Sequence, residues 1–248
     1  MGRSVADRRC EDGTLIQVRS LQSELMDQPD IDRDLHLDAL RGLGRINIVS
    51  RSASILWPAI AEAARRVAPT TLRVLDIACG GGDNAMTLAQ RAKAAGLPIE
   101  IDGCDISQCA IMEARRRADD AANYNARFFR LDAIAEPLPT GYDVLMCTLF
   151  LHHLEEDKAR GLLQKMSEAT GDTLLICDLQ RSWLGYGLAW VGCRLLTRSP
   201  IVHIDGPRSV AAAFAVDEIG SLATRSGLDG ITLTHHWPQR WLLTWRKQ

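Results

Sequence analysis

Three carboxylates and a run of glycines stand where a chain could build a ligand cradle. Asp76 lies near the end of an apolar run, Leu72–Ile77, and Gly80, Gly81 and Gly82 follow it within six residues. Glycine tolerates positive φ and lets a ligand approach the backbone without a Cβ in the way. Asp105 closes a second apolar run over residues 99–104, and Asp132 closes a third over 127–131. Further on, Cys147 and Thr148 end another run and lead into Leu149-Phe150-Leu151-His152-His153-Leu154. An imidazole titrates near neutral pH, so His152 and His153 are candidate general bases for a phenol or enol; organising the loop is the alternative role. Neither a helix nor a strand points two adjacent histidines at one ion, so no metal is expected here.

Two chemistries share such a glycine loop. Gly80-Gly81-Gly82-Asp83-Asn84-Ala85 satisfies the dinucleotide pattern G-x-G-x-x-A, with Asp105 at a suitable distance. Asp76 separates the two. A carboxylate just before the glycines would repel a pyrophosphate, whereas it suits the ammonium of a methionine moiety. The loop therefore points to S-adenosylmethionine. Asp105 would then accept both ribose hydroxyls in a charge-assisted, bidentate contact. Asp102, in the middle of its run, reads as structural.

Asp76-Ile77-Ala78-Cys79-Gly80-Gly81-Gly82 resembles the D-x-G-x-G-x-G motif of class I S-adenosylmethionine-dependent methyltransferases, with Ala78 at the first glycine. The resemblance covers about residues 70–248. It implies a Rossmann-like α/β fold, a seven-stranded, mostly parallel sheet ending in an antiparallel hairpin. It also implies that Asp76, Ala78, Gly80, Gly82 and Asp105 hold the cofactor, with Ile106 packed on the adenine. Asp132 would accept the adenine amino group and Ala133 would supply a backbone donor. Cys147 borders the same cleft. Capping its own turn is the other role open to Asp132.

The elements that must position these residues follow from periodicity. Apolar residues at helical spacing over 35–49 and 55–67 predict two helices, with Asp32 or Asp34 capping the first and Pro58 in the first turn of the second. Strands are predicted at Leu72–Ile77, 99–104, 127–131, Tyr142–Thr148 and 173–178, alternating with helices at 84–95, 108–119 and 158–169. That rhythm argues for a parallel sheet covered on both faces. After a helix at 216–226, two strands at 231–235 and 241–245 are joined by too short a link to be anything but antiparallel. The chain divides into a tail and helical cap over 1–69 and a core over 70–248, with an insertion at about 182–215.

The methyl acceptor belongs beyond the carboxyl ends of the strands. There Asp178 would orient an acceptor hydroxyl or pair with Arg181, the second being favoured. Trp183–Leu196 predicts an apolar, glycine-rich helix serving as core, as a lid over an apolar acceptor, or as a membrane-touching surface, in that order. Residues 199–210 read as a loop over the cleft, with His203 and Arg208 able to touch the acceptor. Arg45 and Asn47 on the pre-core helix face the same place, and Trp190 belongs to the lid. The 26–47 segment, with Gly206-Pro207-Arg208-Ser209-Val210, resembles bacterial methyltransferases associated with type III polyketide synthases. That resemblance implies O-methylation of a phenolic, lipidic or polyketide-like acceptor, as in secondary metabolism. C-methylation of a quinol is the alternative within the class, and a dinucleotide-dependent oxidoreductase the alternative outside it.

The 248 residues carry 29 basic and 31 acidic side chains, a balance that gives no reason to expect nucleic acid. Seven cysteines without a C-x-x-C pair suit packed, reduced thiols. Residues 1 to about 30 are polar, unpatterned and expected to be partly mobile. Their start lacks the apolar stretch of a secretion signal, and no apolar run is long enough to span a bilayer. The expectation is a cytoplasmic monomer or homodimer acting on a small molecule, with no integral membrane segment.

Overall fold

Every other side chain of the first strand packs into a different layer, and that alternation organises the molecule. In the computed structural model, residues 16–27, 31–120 and 126–248 are described, excepting the side chains of Arg33, 47–50 and Asp120. The polar start of the chain, Cys10 and the side chain of Asn47 lie outside that description.

Two helices, α1 (Arg33–Ser50) and α2 (Ser52–Val67), precede β1 (Leu72–Ile77), α3 (Asp83–Ala94), β2 (Ile99–Asp105), α4 (Gln108–Asp120) and β3 (Phe128–Arg130). Then come β4 (Tyr142–Thr148), a 3-10 turn (Leu151–His153), α5 (Glu156–Ala169) and β5 (Thr170–Leu179). The chain finishes with α6 (Trp183–Leu196), α7 (Pro200–Ala212), α8 (Val216–Arg225), β6 (Thr232–His236) and β7 (Arg240–Arg246). Asp32 caps α1, its Oδ1 accepting from the amides of Asp34 and Leu35.

The seven strands lie in the order β3-β2-β1-β4-β5-β7-β6. The first five are parallel; β7 runs antiparallel to both β5 and β6. Leu75, Ile77, Leu145 and Cys147 pack with Leu162, Met166, Ile219 and Leu222 of α5 and α8. Val74, Val144 and Met146 face the other way, onto Leu56, Ile60, Leu88 and Ile111 of α2, α3 and α4. Burial on both faces explains why the strands read as continuous apolar runs. The chain turns outward through β2 and β3 on one side of β1, and through β4 and β5 on the other. The switch opens a crevice at the carboxyl ends of β1 and β4.

Over that crevice lies a cap with its own small core: Ala39 of α1, Cys193 of α6, and Ile201 and Val202 of α7, with Leu25 and Met26 against them. Three expectations change here. Residues 199–210 form most of helix α7 instead of a loop. Pro200 occupies the first turn, and Gly206 allows α7 to press on the Cys193 thiol, so residues that suggested a loop serve a helix and its packing. Second, α6 is not core: only Gly185 and Cys193 are buried, while Trp183, Leu184, Trp190, Val191 and Leu195 are exposed. Third, residues 16–27 are not loose. Arg19 donates to the carbonyls of Ala212, His152 and Leu154 and lies 3.8 Å over the Phe214 ring, and Asp205 accepts from the amides of Leu25 and Met26. This segment is a strap across the crevice. No helix among the described residues is long and apolar enough to cross a membrane.

Candidate active site

The backbone leaves β1 through three left-handed residues, Ala78 (φ 56), Gly80 (φ 53) and Gly82 (φ 75). A Cβ on Gly82 would meet the Phe128 ring at 2.9 Å, so that glycine lets the loop pack on β3. A Cβ on Gly80 would meet nothing within 4 Å; its outer side is open space at the strand ends. Ala78 holds a conformation that costs an L-residue about 1 kcal/mol, which accounts for the glycine at that place in the motif the loop resembles. A second non-glycine residue with positive φ, Leu149 (φ 57), ends β4 across the crevice. Strained backbone at Ala78 and Leu149 thus flanks the crevice, while Arg51 (φ 58) and Gln239 (φ 49) hold the same conformation at the α1–α2 junction and in the β6–β7 turn.

Asp105 braces the loop: its Oδ2 accepts from the Gly80 amide at 2.9 Å, and its Oδ1 from the Ser107 amide at 2.8 Å. Arg117 of α4, which the sequence did not flag, donates to Gly81 O at 3.1 Å and pairs with Asp83 at 2.7 Å. Asp76 is 1% exposed, and its Oδ1 is fully buried with no hydrogen-bond partner among the described residues. Burial above all, then the charges of Asp105 and Asp83, hold its carboxyl well above the usual range. A buried carboxylate without a counter-charge is costly, and an ammonium arriving beside it removes that cost. The open side of Gly80, this orphaned oxygen, the half-buried Asp105 and the exposed Ile106 together fit S-adenosylmethionine.

The Oδ1 of Asp132 accepts from the amides of Ile134 and Ala135 and caps that turn. Ala133 and Cys147 are buried, and burial pushes the Cys147 thiol well up, so it stays neutral. Asp102 is structural as expected, held by Arg127 and by Tyr142 Oη at 2.7 Å. The six described cysteines are free thiols.

The two histidines follow Leu149 on the 3-10 turn. His152 is 3% exposed; its Nδ1 lies 2.6 Å from Asp178 Oδ1, and its amide donates to Asp178 Oδ2. A carboxylate only accepts, so Nδ1 carries the proton and Nε2 presents a lone pair when the ring is neutral. Burial pushes the Asp178 carboxyl up, but the His152 ring and the amides of Leu179 and His152 outweigh it and hold Asp178 below the usual range. The expected pair of Asp178 with Arg181 does not form. Arg181 turns away to Glu218, at 2.6 and 2.8 Å, and to the carbonyls of Ile16 and Ala213.

The strap delivers Glu24 to the histidines. Glu24 Oε1 lies 3.7 Å from His152 Nε2, and Oε2 lies 3.9 Å from His153 Nε2. The two rings are 4.3 Å apart, tilted by 33°, and Phe150 stacks on His153. A 3-10 turn is neither helix nor strand, so the objection that adjacent histidines cannot converge does not hold for this backbone. Glu24 carried no sequence signal: 128 residues separate it from His152, and it lies in an unpatterned stretch.

The remaining acceptor-side candidates scatter. His203 Nε2 lies 2.8 Å from Thr197 O and ties α7 to its own approach. Arg208 reaches Ser23 O and Asp205, and so anchors the strap. Arg45 is exposed and bonds back to Arg41 O. Trp190 is half exposed, with the Arg194 guanidinium 4.0 Å over its ring. A cleft of about 740 Å³ lined by Arg73, Arg127 and Tyr142 opens at the opposite, amino edge of the sheet and touches none of these groups.

The sheet order is that of the Rossmann-like fold shared by solved S-adenosylmethionine-dependent methyltransferases. The sequence agrees: residues 74–172 match the family model described as a methyltransferase domain. A demethylmenaquinone methyltransferase of Thermus thermophilus is 34% identical over 43% of this chain and 46% of its own length. A ubiquinone biosynthesis O-methyltransferase of Azoarcus is 25% identical over 65% of this chain and 66% of its own. The chain therefore spans less than two thirds of the length of either relative. Among solved structures, the methyltransferase SibL in its apo form superposes with TM-score 0.65 at 19% identity, over 98% of this chain and 69% of that one. An O-methyltransferase from neocarzinostatin biosynthesis, solved with S-adenosyl-L-homocysteine and 1,4-dihydroxy-2-naphthoic acid, gives 0.60 at 16% identity, over 87% and 58%.

Proposed function

We propose that this protein transfers the methyl group of S-adenosylmethionine to a hydroxyl of an aromatic, phenolic or polyketide-like acceptor. The observation that carries the reading is the buried, unpartnered oxygen of Asp76 beside the glycine loop, an arrangement suited to a cationic amino-acid moiety and hostile to a pyrophosphate. The sulfonium supplies an activated methyl group, so the protein has to align donor and acceptor and exclude water. Asp105 would accept the ribose hydroxyls while its own amide partners hold it in place, and Ile106 offers an apolar shelf for the base. A phenolic hydroxyl must lose its proton as it attacks. The cluster of Glu24, His152 and His153, oriented by Asp178, is the group of side chains positioned to deal with that proton.

The acceptor class rests on the relatives, whose names place them in quinone biosynthesis, and on the neighbour bound to a dihydroxynaphthoic acid. The exposed apolar side of α6, including Trp190, is the proposed lid over the acceptor's apolar body. Isothermal titration with S-adenosylhomocysteine and with NAD tests the cofactor; tight binding of NAD alone would overturn the assignment. Incubation with isotopically labelled cofactor and a panel of phenols and hydroquinones, followed by mass spectrometry and NMR, tests the acceptor. A methyl group on ring carbon would favour the second reading, C-methylation of a quinol, which the Thermus relative supports.

A further inference from the structure

Glu24, His152 and His153 bring three ligand atoms within 4.8 Å of one another, two of the residues being buried and His153 half-buried. Their mutual distances are informative. At 3.7 and 3.9 Å, the ring nitrogens stand too far from the Glu24 oxygens for good hydrogen bonds, and too near for a water molecule between them. His152 Nδ1 faces Asp178 and carries the proton there, so its Nε2 turns a lone pair toward a carboxylate that can only accept. Glu24 Oε1 also accepts from Ser209 Oγ, which holds the carboxylate in place, and two electron-pair donors facing each other across a buried gap form a seat for a cation.

We propose that Glu24, His152 and His153 form a site for one zinc-like divalent transition-metal ion, with Asp178 as the carboxylate that orients His152. The inference rests on the proposed methyl transfer only for its purpose, not for the site itself. Four-coordinate zinc with ligands at about 2.0–2.1 Å places neighbouring ligand atoms about 3.4 Å apart, so the strap and the 3-10 turn need only close slightly. Two imidazoles and one carboxylate are the ligand set of a catalytic zinc, which keeps a position open. The carboxylate–histidine–metal chain from Asp178 fixes the tautomer and ring orientation of His152. Imidazole donors select against magnesium and calcium, which take oxygen ligands, and the absence of a thiolate from this set selects against the softest ions. At the carboxyl ends of β4 and β5, an ion with an open position would act as a Lewis acid beside the acceptor's oxygen.

The test is binding, measured apart from turnover. Chelator-stripped protein is titrated with zinc by calorimetry and with cobalt by absorbance, whose bands distinguish imidazole and carboxylate ligation from thiolate. We expect one equivalent bound without a thiolate charge-transfer band. Glu24→Gln and His153→Ala should each weaken binding at least tenfold, and Asp178→Asn, outside the ligand set, by about 10- to 100-fold. S-adenosylhomocysteine should bind the chelated protein and the first two variants as it binds the untreated protein. No stoichiometric binding, thiolate bands, a preference for magnesium, or affinities untouched by Glu24→Gln and His153→Ala would each overturn the metal site. Any of those outcomes with S-adenosylhomocysteine binding intact leaves the methyltransferase reading standing, with a shared proton as the cation of the cluster.

Discussion

Replacing Asp76 with Asn asks the cofactor cradle two questions at once. In the ligand-free protein the Asp76 carboxyl is buried, unpartnered at Oδ1 and near Asp105 and Asp83. Its folded pKa is raised above the unfolded value, so the sign is the unusual one for an acid. The folded state prefers the proton, and stability falls as pH rises above the unfolded value near 4 until the folded pKa is passed. Each tenfold preference for the protonated form costs about 1.4 kcal/mol, worth roughly 3–6 °C in a protein of this size. Asp76→Asn should therefore raise the melting temperature of the free protein near pH 8 and have little effect near pH 4. Cofactor binding should move the other way. An ammonium bound to the carboxylate makes a charge-assisted hydrogen bond worth about 1.5–3 kcal/mol, so the variant should bind S-adenosylhomocysteine about 10- to 150-fold more weakly. Wild-type affinity should also rise with pH as Asp76 loses its proton. Scanning calorimetry across pH 4–8 and titration calorimetry read both effects. Unchanged affinity in the variant, or a stability difference that ignores pH, would refute the assignment of Asp76 to the amino-acid end of the cofactor.

Asp105→Ala loses the proposed ribose contact and the acceptor for the Gly80 and Ser107 amides, so S-adenosylhomocysteine affinity should fall at least tenfold; an unchanged titration removes Asp105 from the cofactor. His152→Ala and His153→Ala should lower kcat by roughly 10²–10⁴ with cofactor affinity nearly constant, and near-normal turnover in both would move proton handling elsewhere. Arg19→Ala removes three hydrogen bonds to carbonyls and the stack on Phe214; a loss of about 2 kcal/mol should lower the melting temperature by roughly 4–8 °C, and no shift would mean the strap is not held by this residue. Trp190→Ala, half exposed beneath Arg194, should leave the melting temperature nearly unchanged and raise KM most for acceptors with long apolar bodies; equal effects on short and long acceptors would exclude the lid.

The alternation of strands and helices, and with it the parallel sheet, follows from local pattern because each parallel strand is buried on both faces and each crossover helix presents one apolar face; the strand order β3-β2-β1-β4-β5-β7-β6 came from the structure. Leu72–Ile77 and Tyr142–Thr148 have the bounds that composition alone drew, and the antiparallel close follows from the short link before Arg240. The proposed cofactor end is equally compact in sequence. Asp76, Gly80, Gly82 and Asp105 lie within one strand–loop–helix–strand unit, where sequence spacing nearly fixes spatial spacing. What the tertiary structure decided was the histidine side of the crevice. Glu24 meets His152 from 128 positions away, because the strap is pinned by Arg19 and by Asp205, themselves bonded to partners more than a hundred residues distant. Asp178 chose His152 over Arg181 because the 3-10 turn after Leu149 directs the ring at the end of β5 while Glu218 draws the guanidinium away. A pattern of two or 3.6 residues carries information about which face of an element is buried. It carries none about which distant side chain arrives opposite a polar group, and at this site the chemistry depends on that arrival.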